Sequence, residues 1–419
     1  MKKRAILHSD ANCFYASCEI VLNPELRDKA VAVCGSTEER HGIVLAKSEL
    51  AKKAGVTTGM PNWEAKKKCP ELIIVPPRFE YYKEFSRLLH KIYEDYTDLI
   101  EPYGLDECWL DVTDSLMSPM EIASKIRQRV KDELGLTVSI GVSFNKVFAK
   151  LGSDLKKPDA ITEITEDNFK EKIWTLPCSD LLYCGRQTTM RLEEVGVTTI
   201  GQLAKVPRDF LERRLGKNGG MLWDFANGLD MSPVAHMDEK APPKSIGHGI
   251  TCVENLVNND EAEKVIVSLA IDVGYKLRKE GLCARGVAIT VKNEFLSSAS
   301  AQARLPKPVQ DEVSLAKAGF SLFKEIYNWE SKVRAITITA IDLIDEDLPQ
   351  QRDLFYDYDK AEKKKKLFSV VDEIKNTYGK GSIKPATVLD EKKMPPPKAS
   401  DGAVDFEIKL PGPMKKQQS

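Results

Sequence analysis

The sequence predicts an α+β chain of several domains, led by a sheet of the split βαβ, ferredoxin-like plan. Three observations carry this. The chain has 419 residues, and at ~150 residues per domain it divides into three or four units. Apolar residues make up 42 % and charged residues 30 %, a composition that folds rather than stays disordered. Strand and helix patterns up to about residue 165 run β-α and then β-β-α-β.

Taken in order, "RAILHS" reads as a strand and "ANCFYASCEIVL" as a helix stopped by Asn23 and Pro24. A Lys-rich insertion, 22–78, contains "GIVLAKSELAKKAGVTTGMP" and reads as a small subdomain. "LIEPY" and "ECWLDV" are two short strands joined at "GLDE", a hairpin by spacing and by Gly104. "SPMEIASKIRQRVKDELG" is an amphipathic helix capped by Ser118, with Pro119 in its first turn and Gly135 as its stop. "LTVSIGVS" returns as a strand and "NKVFAKLGSDL" as a helix. Past 165, "LLYCGRQTTMRLEEVGVTTIGQLAKVP" shows helix, Gly turn, helix. "MDEKAPPKS" (237–245) has no apolar period and reads as a tether. Beyond it four strand-like segments alternate with helical patterns at 260–280 and 309–328, and the tail from 394 has too few apolar residues to fold alone.

The N-terminus "MKKRAILHSD" lacks the long apolar stretch of a signal peptide, and no apolar run is long enough to span a bilayer. The nine cysteines form no C-x-x-C pair, which fits reduced thiols in a cytosol better than disulfides or zinc. The formal net charge is -1, so any nucleic-acid binding must come from segregated charge. It is segregated: "EPYGLDECWLDVTD" (101–114) holds five acids and no base, while 272–309 holds seven bases against three acids.

In the βαββαβ plan the first strand neighbours a hairpin strand, so Asp10 can meet Asp106 and Glu107. Three carboxylates that close raise one another's pKa unless cations neutralise them. Mg²⁺ suits such a donor set, and two ions about 4 Å apart would clamp an in-line phosphoryl displacement. Phosphoryl or nucleotidyl transfer is the implied chemistry.

"HSDANCFYASCE", "YGLDECWLDVT", "SIGVSFNKVFAKLGSDLKKPDA" and the Gly-containing helical hairpin after 182 together resemble the Y-family translesion DNA polymerases, specifically the bacterial UmuC-like branch. The resemblance runs in order from residue 5 to about 355. It implies a right-hand polymerase: a palm (1–21 and 79–165), small fingers (22–78), a helical thumb with a helix-hairpin-helix (166–237), a linker (238–243), a β/α little finger (244–348), a clamp peptide with C-terminal helix (349–393) and a loose tail (394–419). The implied activity is template-directed, error-prone lesion-bypass synthesis from dNTPs on primer-template DNA, without proofreading.

Carried over residue by residue, the resemblance makes Asp10, Asp106 and Glu107 ligands of two Mg²⁺ ions, with the Ala11 carbonyl beside them. Tyr15 takes the steric-gate position, where a ring leaves no space for a ribose 2′-hydroxyl, and Phe14 would support the nucleotide from beside it. In the triphosphate-binding stretch, where many relatives place Tyr and Arg, this chain has Glu49 and Lys52, with Ser48 and Lys53 as neighbours able to compensate. Lys157 matches a cation near the triphosphate.

The helical hairpin offers backbone N-H groups to a DNA phosphate at Gly185, with Tyr183 where an early Gly is common. Arg278, Arg285 and Arg304 represent the basic face for duplex phosphates. "QRDLF" resembles a sliding-clamp peptide, Leu354 and Phe355 filling an apolar pocket and Gln351 hydrogen-bonding. The chain leaves open an accessory subunit. Two other readings stand beside the polymerase at this point: a nucleotidyl cyclase sharing the acid-bearing sheet, and a non-catalytic clamp adaptor bound to DNA.

Overall fold

The computed structural model describes residues 3–38, 40, 42–239, 241–348, 358–379, 381–389 and 393–394. They fall into two compact units, one drawn from Met1–Gly35 and Ile43–Lys240, the other from Ser36–Gly42 and Ala241–Phe406.

The first unit opens with β1 (Ile6–Ala11), buried along its whole length, and α1 (Phe14–Leu22), which ends where Asn23 and Pro24 cannot continue it. A small three-stranded sheet follows: β2 (Val31–Cys34), β3 (Val44–Lys47), the short helices α2 (Glu49–Lys53) and α3 (Asn62–Lys68), and β4 (Ile73–Val75), in strand order β3-β2-β4. Helix α4 (Phe79–Glu94) then leads into β5 (Ile100–Pro102), β6 (Glu107–Asp111), α5 (Pro119–Arg129), β7 (Val138–Ser143), α6 (Lys146–Leu155) and β8 (Ile161–Ile164). Ser118 caps α5 through the Glu121 amide, and the helix runs on through a π-helical turn (Val130–Leu134) to Gly135, whose φ of 68° the residue type permits.

The main sheet has the order β5-β6-β1-β7-β8. Each neighbouring pair among its first four strands is antiparallel, in the ferredoxin-like arrangement, and β8 extends the edge parallel to β7. β1 therefore lies between the hairpin strand β6 and the later strand β7. Leu7, Phe85, Leu89, Leu110, Ile122, Ile126 and Ile140 fill the layer between this sheet and its helices.

Five short helices complete the unit: α7 (Phe169–Ile173), α8 (Arg186–Glu193), α9 (Ile200–Lys205), α10 (Arg208–Leu215) and α11 (Lys217–Ala226). Their core includes Val147, Phe148 and Leu151 of α6, so that helix is shared between sheet and helical bundle.

The second unit is a four-stranded antiparallel sheet with helices on one face: β9 (Ser245–Leu256), α12 (Asn259–Lys279), β10 (Leu282–Asn293), β11 (Ser298–Val309), α13 (Glu312–Ile326) and β12 (Val333–Asp345), in strand order β11-β10-β12-β9. Val287, Ile289, Ile336 and Ile338 meet Ile266, Leu269 and Phe323 of the helices. A final helix, α14 (Tyr358–Tyr378), joins this unit. Among the described residues no helix is long and apolar enough to cross a membrane.

One close approach sets the position of α6. Gly141 of β7 lies opposite His8 of β1, and a Cβ there would stand 1.9 Å from the Ala149 carbonyl and 2.6 Å from the Ser153 amide. Both neighbours are helix backbone and cannot yield. Gly141→Ala should therefore destabilise the protein by at least ~3 kcal/mol or prevent folding, which a urea melt with far-UV circular dichroism would read.

Candidate active site

β1 runs out at Asp10 and Ala11, and its antiparallel register with β6 sets Asp10 opposite Glu107. The Ala11 amide donates to the Asp106 carbonyl at 2.9 Å, which fixes the end of the hairpin against the end of the strand. Gly104, at φ 96°, makes the turn that brings β5 back to β6. The predicted acids and Ala11 are thus brought to one end of the sheet. Asp10 is 6 % exposed, and Asp106 and Glu107 are half-buried.

Cationic side chains already face this cluster. Lys157 Nζ lies 2.6 Å from Asp10 Oδ2 and 2.7 Å from Asp154, and Lys150 pairs with Glu107. Fully buried His8 bridges Ser153, at 2.9 Å from Nδ1, and Glu107, at 3.3 Å from Nε2. Burial holds the His8 imidazole below its usual range. Burial also pushes the Asp10 carboxyl up to about 6 despite Lys157. Asp106 is raised by burial and then by the Glu107 charge. Burial opposes ionisation of Glu107 too, but the bonds from His8 and Lys150 outweigh it and hold this carboxyl down to about 2. Lys157 is drawn up to about 12, burial being outweighed by Asp10.

Among the described residues no three acidic, histidine or cysteine side chains are already gathered as a ligand group. Asp10 and Glu107 turn to lysines instead. The donor set nevertheless fits a hard divalent cation: three carboxylates sit at one sheet end, two of them reluctant to ionise, and ammonium groups occupy the place of the missing positive charge.

Cys13, at φ 51°, turns the chain into α1 and separates the fates of the two rings that follow. Phe14 is a core residue, 3 % exposed. Tyr15 is half-buried and stacks on Tyr82, with centroids 4.4 Å apart and planes 13° apart, while meeting Phe79 edge-on at 6.0 Å. The aromatic pair seen in sequence thus divides into one packing ring and one ring at the site.

In the small sheet, Glu49 accepts from Cys13 Sγ at 3.1 Å and lies 3.8 Å from Lys52 Nζ. Lys52 and Lys53 are exposed. Ser48 does not serve as a nucleotide contact as anticipated: it is buried, its hydroxyl accepts from the Ala51 and Val31 amides and donates to the Lys29 carbonyl, so capping α2 uses it up.

Gly185 caps α8, and a Cβ there would meet nothing within 4 Å, so this helix start is open to a ligand. Tyr183 adopts φ 64° in the place where a Gly was missed. Arg285 and Arg304 are exposed on the second unit. Arg278 requires a correction: it is turned inward, pairing with Asp372 at 2.6 Å and Glu312 at 3.0 Å under the ring of Phe368. Its charge holds α14 to α12 and α13 and is not available to DNA. Gln351, Leu354 and Phe355 lie outside the described residues.

Sequence reasoning passed over His8, Lys150 and Asp154. A signal existed for two of them: Lys146, Lys150 and Asp154 recur at i, i+4 along α6, a charged stripe that can face the acids. His8 had none, because its partner arrives from a distant helix.

The impB/mucB/samB family profile matches residues 9–154, and that of its C-terminal domain matches 243–354. The thumb domain of DNA polymerase-iota matches 180–230. DNA polymerase IV of Acetivibrio thermocellus is 48 % identical over 93 % of this chain and 98 % of its own length. DNA polymerase IV of Moorella thermoacetica is 36 % identical, covering 92 % and 96 %, and DNA polymerase IV 1 of Bacillus subtilis is 35 % identical, covering 93 % and 94 %. A solved Y-family DNA polymerase chimera superposes with a TM-score of 0.73 at 24 % identity, over 81 % of this chain and 99 % of its own. With the acid-bearing sheet in place, these matches show that the chain belongs to the Y-family DNA polymerases, DNA-directed enzymes of translesion synthesis that work on primer-template DNA and deoxynucleoside triphosphates.

Proposed function

We propose that the sheet end formed by Asp10, Asp106 and Glu107 carries out two-metal nucleotidyl transfer from a dNTP to a primer 3′-hydroxyl. The observation behind this is the β1–β6 register, which places Asp10 opposite Glu107 with Asp106 bonded to the next residue of β1. In this reading Asp10, Asp106, Glu107 and the Ala11 carbonyl hold two Mg²⁺, which would neutralise the triphosphate and make the 3′-hydroxyl a better nucleophile.

The remaining roles belong to the chain. With cations held at Asp10 and Glu107, Lys157 and Lys150 would be released from these acids, and Lys157 would be free to meet a phosphate together with Lys52. Lys52 supplies a point charge without the fork of an Arg. Tyr15 closes the space where a 2′-hydroxyl would sit, and Phe14 keeps α1 seated so that this ring stays in register. Residues 1–21 with 79–165 act as palm, 22–78 as fingers, 166–237 as thumb and 244–348 as little finger, joined by the linker 238–243.

DNA is held without sequence readout, by the α8 start at Gly185 and by the helix-free face of the second sheet. That face presents Gly247, Gly249, Thr337, Thr339, Thr290, Ser300 and Gln302 with exposed Arg304 and Lys292, small and polar enough to lie along a phosphate backbone. Residues Gln351, Leu354 and Phe355 dock on a sliding clamp.

Three measurements test this. In primer extension across undamaged and abasic templates, Asp106→Ala should lose at least ~10³-fold in rate, and Tyr15→Ala should incorporate ribonucleotides that the wild type rejects. Extension persisting in Asp106→Ala would remove the acids from the chemistry. Replacing Leu354 and Phe355 together by Ala should abolish stimulation by a loaded clamp while leaving clamp-free extension intact.

The third is a stability measurement without divalent ions. Asp10 titrates near 6 when folded and near ~4 when unfolded. Its protonated form favours the fold, so that contribution is complete below pH ~4 and is lost as the pH rises through about 6. Asp10→Asn should stabilise the metal-free protein by about 1–2 kcal/mol at pH 8, with the gain vanishing toward pH ~4, even though it abolishes synthesis.

A further inference from the structure

Behind Tyr15 lies a buried carboxylate that none of the foregoing roles uses. Glu19 stands four residues further along α1 on the same face as Tyr15, and its side chain is only 4 % exposed. Both of its oxygens accept from Arg78 Nε, at 3.1 and 3.0 Å, and Arg78 Nη2 adds another bond. Tyr82 O-H donates to Glu19 Oε1 at 2.6 Å. A carboxylate taken this far from water is often replaceable by an apolar side chain without loss of stability, so its geometry calls for a reason beyond packing.

That geometry fixes one ring. Tyr82 is fully buried, with Phe14 against it at 6.5 Å and Phe79 edge-on at 5.9 Å. Its hydroxyl is tethered to Glu19, so the ring can neither slide along its own plane nor swing outward. Tyr15 lies flat on this immobilised surface, and Phe79 closes a second side. Tyr15 thus has two walls, and the first of them is held in place by an ion pair. Arg78 is locked in turn by its fork on Glu19 and by stacking 5.0 Å over Tyr81.

We infer that Tyr82, anchored by Glu19 and Arg78, is a positioning residue that sets how strictly Tyr15 excludes a ribose 2′-hydroxyl. Sugar selectivity then depends on a polar anchor one layer behind the gate. The inference rests on the proposed gate role of Tyr15. A hydroxyl group is small, so a displacement of the gate ring by a fraction of an ångström alters the exclusion while leaving deoxynucleotide binding nearly untouched.

The test measures single-nucleotide incorporation of ATP and dATP opposite template T by the full chain with Mg²⁺, for wild type, Tyr82→Phe, Glu19→Gln and Tyr15→Ala, with melting temperatures taken in parallel. Tyr82→Phe retains the ring and loses only the tether. The ribo-to-deoxy ratio of kcat/KM should rise about tenfold in Tyr82→Phe and Glu19→Gln, with dATP incorporation within about threefold of wild type. Tyr15→Ala should raise the ratio further, and adding Tyr82→Phe to it should change nothing more, since the wall matters only through the ring that rests on it. A lower melting temperature with an unchanged ratio in Tyr82→Phe would reduce the anchor to a structural contact and overturn the inference. An unchanged ratio in Tyr15→Ala would instead overturn the gate itself. Should Glu19→Gln fail to fold, Tyr82→Phe decides alone.

Discussion

The antiparallel pairing of β1 with β6 is the constraint on which the site depends. A shift of one residue would send Asp10 to the opposite face of the sheet, because side chains alternate along a strand. In the observed register Asp10 faces Glu107, and the Ala11 amide closes on the Asp106 carbonyl. Strand pairing, which stabilises the fold, thereby concentrates negative charge that destabilises it. The acids are tolerated because the same sheet receives α6 on Gly141, at a separation only glycine permits. That approach lays Lys150 and Lys157 against Glu107 and Asp10.

Electrostatics at this sheet end is uneven, and the unevenness is chemical information. Glu107 is ionised at any ordinary pH because His8 and Lys150 bind its charged form. Asp10, although paired with Lys157, remains dominated by burial. One carboxylate is a permanent anion and the other gains from each added positive charge, an arrangement suited to binding cations and returning them. Lys150 and Lys157 lie against these acids as their counter-charges.

Rigid aromatic packing is the second feature of this end of α1. Phe14, Tyr15, Phe79 and Tyr82 form a continuous cluster on α1 and α4. Its one polar anchor, Glu19, sits where the ridge of α1 meets Arg78. The two layers meet at Cys13, whose left-handed backbone begins α1 directly after the acid-bearing strand and whose thiol reaches Glu49. The acid-bearing strand end and the aromatic cluster are therefore adjacent in the chain yet answer to different neighbours.

Much of this was legible in the chain itself. Alternating apolar patterns gave the strands, caps and stops such as Ser118, Pro119 and Gly135 bounded α5, and the placement of Asp10, Asp106 and Glu107 at strand ends pointed to one acidic site. These features are local, set by side-chain period and backbone preference within a few residues. What sequence left undecided is what each polar side chain does once distant elements meet. Ser48 read as a ligand contact and became a helix cap, Arg278 read as a DNA contact and became the tie for α14, and His8 gave no signal until Ser153 came over it. Hydrogen bonds and ion pairs act over a few ångströms between residues far apart in the chain, so only the packed tertiary structure decides which donors and acceptors are already taken and which remain free to act.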